Sequence, residues 1–197
     1  MQSNFILSLL ASLAAASTTR APNFAITASL PPNSPLKAAQ GWNLTSYHIT
    51  PCYDYAVFNN HEGRTFYANG TASNFSSHTS NILSDGGSPP WPWGTIISAA
   101  NSTDSEGRRN VYINCGLGTP GLEVVSGRRG QAPSVSYGSG EFYVCNSTLL
   151  YGPAITLYYR EKREETPESC SDVQLKTKCL DDATEHEFQR DSWCQEA

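Results

Sequence analysis

The sequence predicts an all-β fold, namely a single disulfide-stapled β-sandwich, with a barrel as the alternative. Short segments that alternate apolar and polar side chains recur between turn signals, which is the pattern of half-buried strands. Six cysteines follow an apolar N-terminal segment, and an even number in that context indicates disulfides. No sustained helical period, heptad pattern or internal repeat competes with this prediction.

The N-terminus has the pattern of a secretory signal peptide. Residues 5–14 form a short apolar run, and Ala14-Ala15-Ala16-Ser17 offers a small-residue cleavage site. The run is shorter than the roughly 20 residues that a membrane-spanning helix needs, and no later segment is long enough either. We therefore expect residues 1–17 to be a cleaved signal and the protein to be secreted, extracellular or cell-wall associated, without a membrane span.

The first half of the chain predicts several short strands. In residues 23–30, Phe24, Ile26, Ala28 and Leu30 share one face, and the prolines that follow end the strand. Further strands are predicted at 46–58 (one or two strands, broken at Pro51), 64–68 and 94–99. Asn69-Gly70 is expected to be a hairpin-type turn, and residues 70–90, rich in Ser, Thr, Asn and Gly, to be mostly loop.

The two segments that end on cysteines are expected to be neighbouring strands of the core. Residues 110–115 place Val111, Ile113 and Cys115 on one face, and residues 141–145 alternate in the same way and end at Cys145. The remaining predicted strands are 122–125 and 154–159.

The composition changes at Arg160, so we divide the mature chain into a β domain at 22–160 and a charged, cysteine-containing tail at 161–197 that is partly packed on it. Residues 160–165 form a charge run typical of a solvated turn. Residues 169–179 are interpreted as a short hairpin closed by its cysteines. Residues 181–197 are expected to be a short helix or disordered.

The cysteines that we expect to form disulfides are Cys52, Cys115, Cys145, Cys170, Cys179 and Cys194. Six cysteines allow 15 pairings, and the sequence does not choose among them. Cys115–Cys145 and Cys170–Cys179 are the two plausible pairs. A zinc site at Cys179, His186 and Cys194 is the disfavoured alternative, because its spacing matches no standard zinc pattern.

Five Asn-x-Ser/Thr triplets predict an N-glycosylated surface, and each lies near a predicted turn. Their asparagines are Asn43, Asn69, Asn74, Asn101 and Asn146. We expect at least two of them to carry glycans and their segments to face solvent.

The charge balance and the absence of motifs exclude several classes of function. The formal net charge is −5, so the basic surface that nucleic-acid binding requires is not expected. The sequence has no His-Glu-x-x-His, Gly-x-Ser-x-Gly, P-loop or dinucleotide motif. We therefore predict a non-catalytic protein that needs no cofactor and no metal.

Trp91-Pro92-Trp93 is the best candidate for a ligand-binding site. Proline stiffens this segment, and two indoles could stack on a sugar face or an apolar ligand. The alternative is that at least one indole, Trp93 at the start of the following strand, enters the core, because large aromatic side chains are mostly buried.

One further set of segments resembles a known group of proteins. These are the signal peptide, Phe24-Ala-Ile-Thr, Gly41-Trp-Asn-Leu, Trp93-Gly-Thr-Ile-Ile, Asn110-Val-Tyr-Ile, Ile155-Thr-Leu-Tyr-Tyr and Cys170-Ser-Asp-Val-Gln-Leu. In these segments the chain resembles small secreted fungal proteins with a β-rich domain of unknown function, over residues 24 to about 180. The resemblance implies an extracellular fungal protein and supplies no activity.

The leading hypothesis is a secreted, disulfide-bonded glycoprotein without catalysis, which binds a cell-wall glycan or an extracellular protein or has a structural role. The first alternative is a carbohydrate-binding, lectin-like module that uses Trp91, Trp93 and nearby tyrosines. The second is a secreted hydrolase without a recognisable motif, which a concave pocket holding two close carboxylates, or a Ser–His pair, would favour.

Overall fold

The computed structural model describes residues 17–61, 63–127, 131–181 and 184–196, so that all of the predicted signal peptide except Ser17 lies outside them. The strands are β1 (Thr18–Ala21), β2 (Asn23–Ser29), β3 (Asn43–Thr50), β4 (Tyr53–Asn59), β5 (Phe66–Asn69), β6 (Asn81–Gly86), β7 (Trp91–Ile97), β8 (Arg109–Cys115), β9 (Leu122–Val125), β10 (Ser134–Tyr137), β11 (Glu141–Leu149), β12 (Gly152–Arg160), β13 (Ser171–Cys179), β14 (Gln189–Arg190) and β15 (Ser192–Gln195). A 3-10 helix lies at Lys37–Ala39, and a short helix, α1, at Ala72–Ser76.

The described strands form one hydrogen-bonded sheet. Its main path runs β1-β15-β13-β11-β12-β4-β3-β2-β5-β6-β7-β8, with β9, β10 and β14 attached beside it. Strands that are distant in this order meet again, because β13 also pairs with β2, and β8 also pairs with β12 and β4. The all-β prediction is confirmed, whereas the sandwich arrangement stays a prediction.

The sheet buries one face of its central strands in the main core. Side chains alternate between faces along a strand, and the core face carries Ala56 and Phe58 of β4, Val111 and Ile113 of β8, and Leu157 and Tyr159 of β12. The residues between them, including Tyr55, Tyr112 and Tyr158, therefore lie on the opposite face. Tyr158 belongs to a separate small cluster with Tyr143, Cys145 and Cys170.

The expected pairing of the two cysteine-ending strands is wrong. β11 forms a hairpin with β12 along its whole length, from Glu141↔Arg160 to Leu149↔Gly152. β12 in turn contacts β8 at Tyr158↔Asn110, so it lies between the two strands that we expected to pair. The reason is local: a two-residue connection closes at little entropic cost, whereas β8 and β11 are separated by a long segment.

Residues 70–90 contain more regular structure than their polar composition predicts. Asn81–Gly86 is strand β6, and its first four residues are buried. Asn69-Gly70 does not form a tight hairpin turn, because α1 follows, capped by Thr71 and Asn74. The polar side chains of β6 find partners inside the protein, since Asn81 Oδ1 accepts from Asn69 Nδ2 and Ser84 Oγ accepts from Arg64 Nε.

The C-terminal region is built of strands, which corrects two expectations. Ser171–Cys179 is one strand rather than a cysteine-closed hairpin, and it pairs with β2 from Gln174↔Ser29 to Cys179↔Phe24. The described part of 181–197 contains β14 and β15 rather than a helix or disorder. β15 pairs with β1 in antiparallel register. Backbone pairing of β15 with β1 and β13, and of β14 with β5, orders a segment whose own composition is polar.

All six cysteines form disulfides, as expected, but the pairs are Cys52–Cys115, Cys145–Cys170 and Cys179–Cys194. The two pairs suggested by the sequence are therefore wrong. The Val144↔Ser171 pairing of β11 with β13 places Cys145 beside Cys170. The zinc alternative also fails, because two of its ligands are bonded to each other.

Candidate ligand-binding face and cleft

Five tyrosines lie on or beside the sheet face opposite the core, in two groups of contacting rings. We call Tyr47, Tyr53, Tyr55, Tyr112 and Tyr151 the tyrosine row. Tyr47 lies directly across from Tyr55 in the β3–β4 pairing, and Tyr55 lies directly across from Tyr112 in the β4–β8 pairing. Since neighbouring strands are about 4.8 Å apart, this register places tyrosines of three strands side by side, and the rings of β4 and β8 are in contact.

The rings of the tyrosine row form one group of three and one pair. Ring centroids are 4.9 Å apart for Tyr53–Tyr112, 5.1 Å for Tyr55–Tyr112 and 5.9 Å for Tyr53–Tyr55. Tyr151, in the β11–β12 turn, stacks on Tyr47 at 6.0 Å and donates its backbone N–H to the Tyr47 hydroxyl at 2.6 Å. Each ring is thus held by its neighbours before any ligand arrives.

The tyrosine row is neutral and partly open to solvent. Tyr151 is 71 % exposed, and the other four side chains are half-buried. Burial, together with the neighbouring phenols, raises the pKa of Tyr53, and burial raises that of Tyr55. The hydroxyls of Tyr53 and Tyr55 therefore stay protonated and can both donate and accept hydrogen bonds, while the ring faces of the row offer apolar area.

The same sheet face continues into a region that is closed to ligands. Tyr143 stacks on Tyr158 with centroids 5.3 Å apart, and both are buried. The Arg108 guanidinium covers the Tyr158 ring at 4.5 Å and is itself paired with Asp104. Burial raises the pKa of Tyr143 to about 12. This arrangement closes one end of the aromatic surface and leaves the tyrosine row as its open part.

The two tryptophans predicted to bind a ligand occupy different environments. Trp91 is 62 % exposed at the start of β7. Trp93 packs against the main core, with the Arg64 guanidinium 5.5 Å from its ring centroid. One indole thus joins the core, as the alternative interpretation expected, and a binding role for Trp91 stays a prediction.

The five sequon asparagines differ in how their side chains are used. Asn101 and Asn146 are exposed. The amide groups of the other three donate to protein atoms: Asn43 to the carbonyl of His61 at 2.7 Å, Asn69 to Asn81 at 3.1 Å and Asn74 to Thr79 at 3.2 Å. Occupancy of these sites stays a prediction, with Asn101 and Asn146 the most accessible.

A polar cleft of about 390 Å³ is lined by Arg64, Thr65, Tyr67, Asp85, Thr184 and His186, and we call it the Arg64 cleft. Tyr67 and Asp85 come from β5 and β6, Arg64 and Thr65 from the segment before β5, and Thr184 and His186 from the segment before β14. The Tyr67 hydroxyl donates to Asp85 Oδ1 at 3.3 Å, and His186 Nε2 lies 2.8 Å from Asp85 Oδ2.

A groove of about 770 Å³ lies between the end of β2 and strands β10, β11 and β13, and its lining includes Glu141 and Asp172. Both carboxylates accept from the same nitrogen, Nη2 of Arg160. Arg160 also donates to the Glu164 carbonyl at 2.7 Å and to Thr166 at 2.8 Å. Arg160 therefore bridges the two carboxylates and also holds the segment that leads into β13.

The described ranges of the chain contain no group of three or more His, Cys, Asp and Glu side chains arranged to hold a metal ion. Nor do they contain a helix long and apolar enough to cross a membrane.

Sequence reasoning missed both the tyrosine row and the Arg64 cleft. A signal for the row exists in Tyr53-x-Tyr55, where aromatic residues alternate with the core residues of β4. The cleft has no local signal, because its six side chains come from three distant parts of the chain.

Comparison with known proteins identifies the family. A family model described as a domain of unknown function (DUF7907) matches residues 21–179. The antigenic protein SchS34 of Stachybotrys chartarum is 26 % identical over 169 residues, which cover 77 % of this chain and 74 % of that protein. No solved structure matches the chain. Since the family match extends over most of the sequence, the chain belongs to the DUF7907 family, whose function is unknown.

Proposed function

We propose that this protein is a secreted, non-catalytic fungal glycoprotein that binds a cell-wall polysaccharide through the tyrosine row. The observation behind the proposal is the register of Tyr47, Tyr55 and Tyr112, which builds a pre-ordered aromatic surface on the solvent side of the sheet. The three disulfides are compatible with the oxidising environment outside the cell. The relative from Stachybotrys chartarum is named an antigenic protein, which is compatible with a protein exposed outside the cell.

A polysaccharide fits the chemistry of this surface better than an ion or a lipid. A sugar ring presents apolar C–H groups on its faces and hydroxyls at its edge. Tyrosine offers the matching pair, an apolar ring and a neutral hydroxyl. The row extends across three strands, so it is long enough to contact successive units of a chain rather than a single ring.

The test is a polysaccharide pull-down and glycan-array screen of the secreted protein beside a Tyr55→Ala, Tyr112→Ala double variant. Phe188→Ala is the matched control, because Phe188 is an exposed aromatic residue (49 %) outside the row. Loss of binding in the double variant alone supports the proposal. Loss in a Trp91→Ala variant alone would instead place the site at the start of β7, where the sequence predicted it.

The groove beside Glu141 and Asp172 supports a second candidate, a secreted polysaccharide hydrolase. A pair of close carboxylates in a groove is the arrangement that glycosidases use. Here Arg160 pairs with both, which favours a structural role. Release of reducing ends from fungal polysaccharides by the wild-type protein, and its abolition by Glu141→Gln, would establish this candidate; absence of any product would exclude it for the polysaccharides used.

A further inference from the structure

We propose that the Arg64 cleft is a second binding site, independent of the tyrosine row, that takes one neutral sugar unit or a polyol of similar size. All six lining side chains carry hydrogen-bonding groups, and the cleft volume of about 390 Å³ lies within the range of small-molecule sites. A small cleft with a hydrogen-bonding group on every lining side chain suits a ligand that carries several hydroxyl groups on a carbon frame.

Arg64 gives the cleft a fixed hydrogen-bond donor. Its guanidinium donates to Ser84 Oγ at 2.8 Å, to Ser46 Oγ at 2.7 Å and to the Asp85 carbonyl, and it lies against the Trp93 ring. Burial lowers the pKa of Arg64, while the charges of Asp54 and Asp85 raise it, and a guanidinium stays protonated throughout. A guanidinium has five N–H groups, so three bonds fix its orientation and leave donors for a ligand oxygen.

Asp85 and His186 give the cleft its acceptors. An ionised carboxylate only accepts hydrogen bonds, so the 2.8 Å contact with Asp85 places a proton on His186 Nε2. The imidazole stacks on Tyr67 with ring centroids 3.7 Å apart and an interplanar angle of 10°. In the neutral ring, Nδ1 is then an acceptor, and it is buried without a hydrogen-bond partner among the described residues. Because this atom is closed to solvent, a ligand hydroxyl can satisfy it only if the imidazole rotates on binding.

The charges of the cleft favour a neutral ligand. The positive Arg64 and the negative Asp85 offset each other, so the cleft has no excess charge to attract an ion. A hydroxyl both donates and accepts, and several hydroxyls on one ring can meet the guanidinium, the carboxylate and the imidazole together. A free amino acid also carries no net charge, and it is therefore the competing ligand in the binding experiment.

The cleft depends on the C-terminal segment. His186 and Thr184 lie beyond residue 179, where the family match ends. Gln189 donates to the Pro22 carbonyl at 2.9 Å and to Asn23 Oδ1 at 2.6 Å, and β14 pairs with β5. These contacts hold the His186 wall of the cleft against the sheet.

The experiment is a titration of the full secreted chain with free monosaccharides, sugar alcohols and free amino acids. Binding is measured by calorimetry and by the NMR shifts of the His186 imidazole resonances. Thr65→Val removes one lining hydroxyl with little change of shape, and Tyr151→Ala is the control outside the cleft. We expect saturable sugar binding that shifts the His186 resonances. Thr65→Val should weaken it by about threefold to tenfold, the value of one hydrogen bond, and Tyr151→Ala should leave it unchanged.

Three results would overturn the proposal. The first is that no sugar or polyol shifts the His186 resonances, and the second is that only free amino acids shift them. The third is that Thr65→Val and a folded Arg64→Gln variant both bind sugar with wild-type affinity. Monosaccharide binding in the cleft and polysaccharide binding at the tyrosine row are measured with different ligands and different variants. The failure of one proposal therefore leaves the other standing.

Discussion

Tyr55 lies directly across from Tyr112 in the β4–β8 pairing, with ring centroids 5.1 Å apart and ring planes inclined by 40°. Tyr53 contacts both rings, so three tyrosines from two strands form one aromatic unit. The Cys52–Cys115 disulfide joins the segment just before β4 to the end of β8, next to this unit. Strand register and covalent linkage thus hold the same part of the sheet together.

The end of the tyrosine row should contribute to binding through stacking alone. Tyr151→Ala removes an exposed ring that packs on Tyr47, and we expect polysaccharide affinity to fall by about threefold to tenfold, the value of one aromatic contact. Thermal unfolding should stay nearly unchanged, because the side chain is mostly in solvent. Tyr151→Phe should bind normally; equal weakening by both variants would show that the hydroxyl, and not the ring, is required.

Replacing Arg64 should destabilise the fold. Arg64→Met removes the donor for Ser46 Oγ, Ser84 Oγ and the Asp85 carbonyl, and these buried or half-buried groups would lose their partner. We expect a loss of about 2–4 kcal/mol in the free energy of unfolding, measured by denaturant titration. Arg163→Met, at an exposed position in the charge run, is the matched control. A change below about 0.5 kcal/mol, as is typical of surface sites, would contradict this role.

The Cys179–Cys194 disulfide should support the Arg64 cleft and not the tyrosine row. It attaches β15 to β13 and so restrains the segment that contains His186. Replacing both cysteines by alanine should lower stability by about 2–4 kcal/mol and weaken sugar binding in the cleft. Polysaccharide binding at the row should persist when measured on the same folded sample. Loss of sugar binding and polysaccharide binding together would indicate global unfolding, and circular dichroism would detect that unfolding.

Alkaline pH should destabilise the protein through its tyrosines. Burial raises the pKa of Tyr143 from 10.0 to about 12, and it also raises those of Tyr53, Tyr55, Tyr67, Tyr158 and Tyr159. A phenol that resists ionisation in the folded state contributes stability that is fully present below pH 10 and is lost as the pH rises toward the folded pKa. Ultraviolet titration should show fewer ionised tyrosines at pH 11 in the folded protein than in urea. Coincident curves would contradict the buried environments.

Glycan occupancy should follow the exposure of the sequon side chains. We expect glycans at Asn101 and Asn146, which are exposed, and little or none at Asn69, whose amide donates to Asn81 inside the β5–β6 pairing. Peptide mapping by mass spectrometry after enzymatic deglycosylation measures each site separately. Full occupancy of Asn69 in the folded protein would require the Asn69–Asn81 contact to be absent.

The sequence predicted the strands whose signal is local. Phe24, Ile26 and Ala28 alternate within β2, and Pro51 separates β3 from β4, so single-strand patterns were sufficient. It did not predict β6, because Asn81 and Ser84 are polar and their burial depends on partners from β5 and from Arg64. A polar strand of this kind becomes recognisable only when its neighbours are known.

The sites could be predicted only in part, for the same reason. Cys145 pairs with Cys170 because β11 and β13 are neighbours in the sheet. The order of the strands in a sheet cannot be predicted from the pattern within each strand. His186 belongs to a segment that we expected to be helical or disordered, yet it stacks on Tyr67 from β5. Register and sheet order, rather than composition, decide which side chains meet.

The measurement that tests the central proposal most directly is the affinity of the Tyr55→Ala, Tyr112→Ala double variant for the polysaccharide that the wild-type protein binds. We expect a loss of about tenfold to hundredfold, since two aromatic contacts are removed and each contributes about threefold to tenfold. The Phe188→Ala control should keep its affinity, and the thermal transition of the double variant should stay cooperative. Wild-type affinity in a folded double variant would show that the tyrosine row does not bind the polysaccharide.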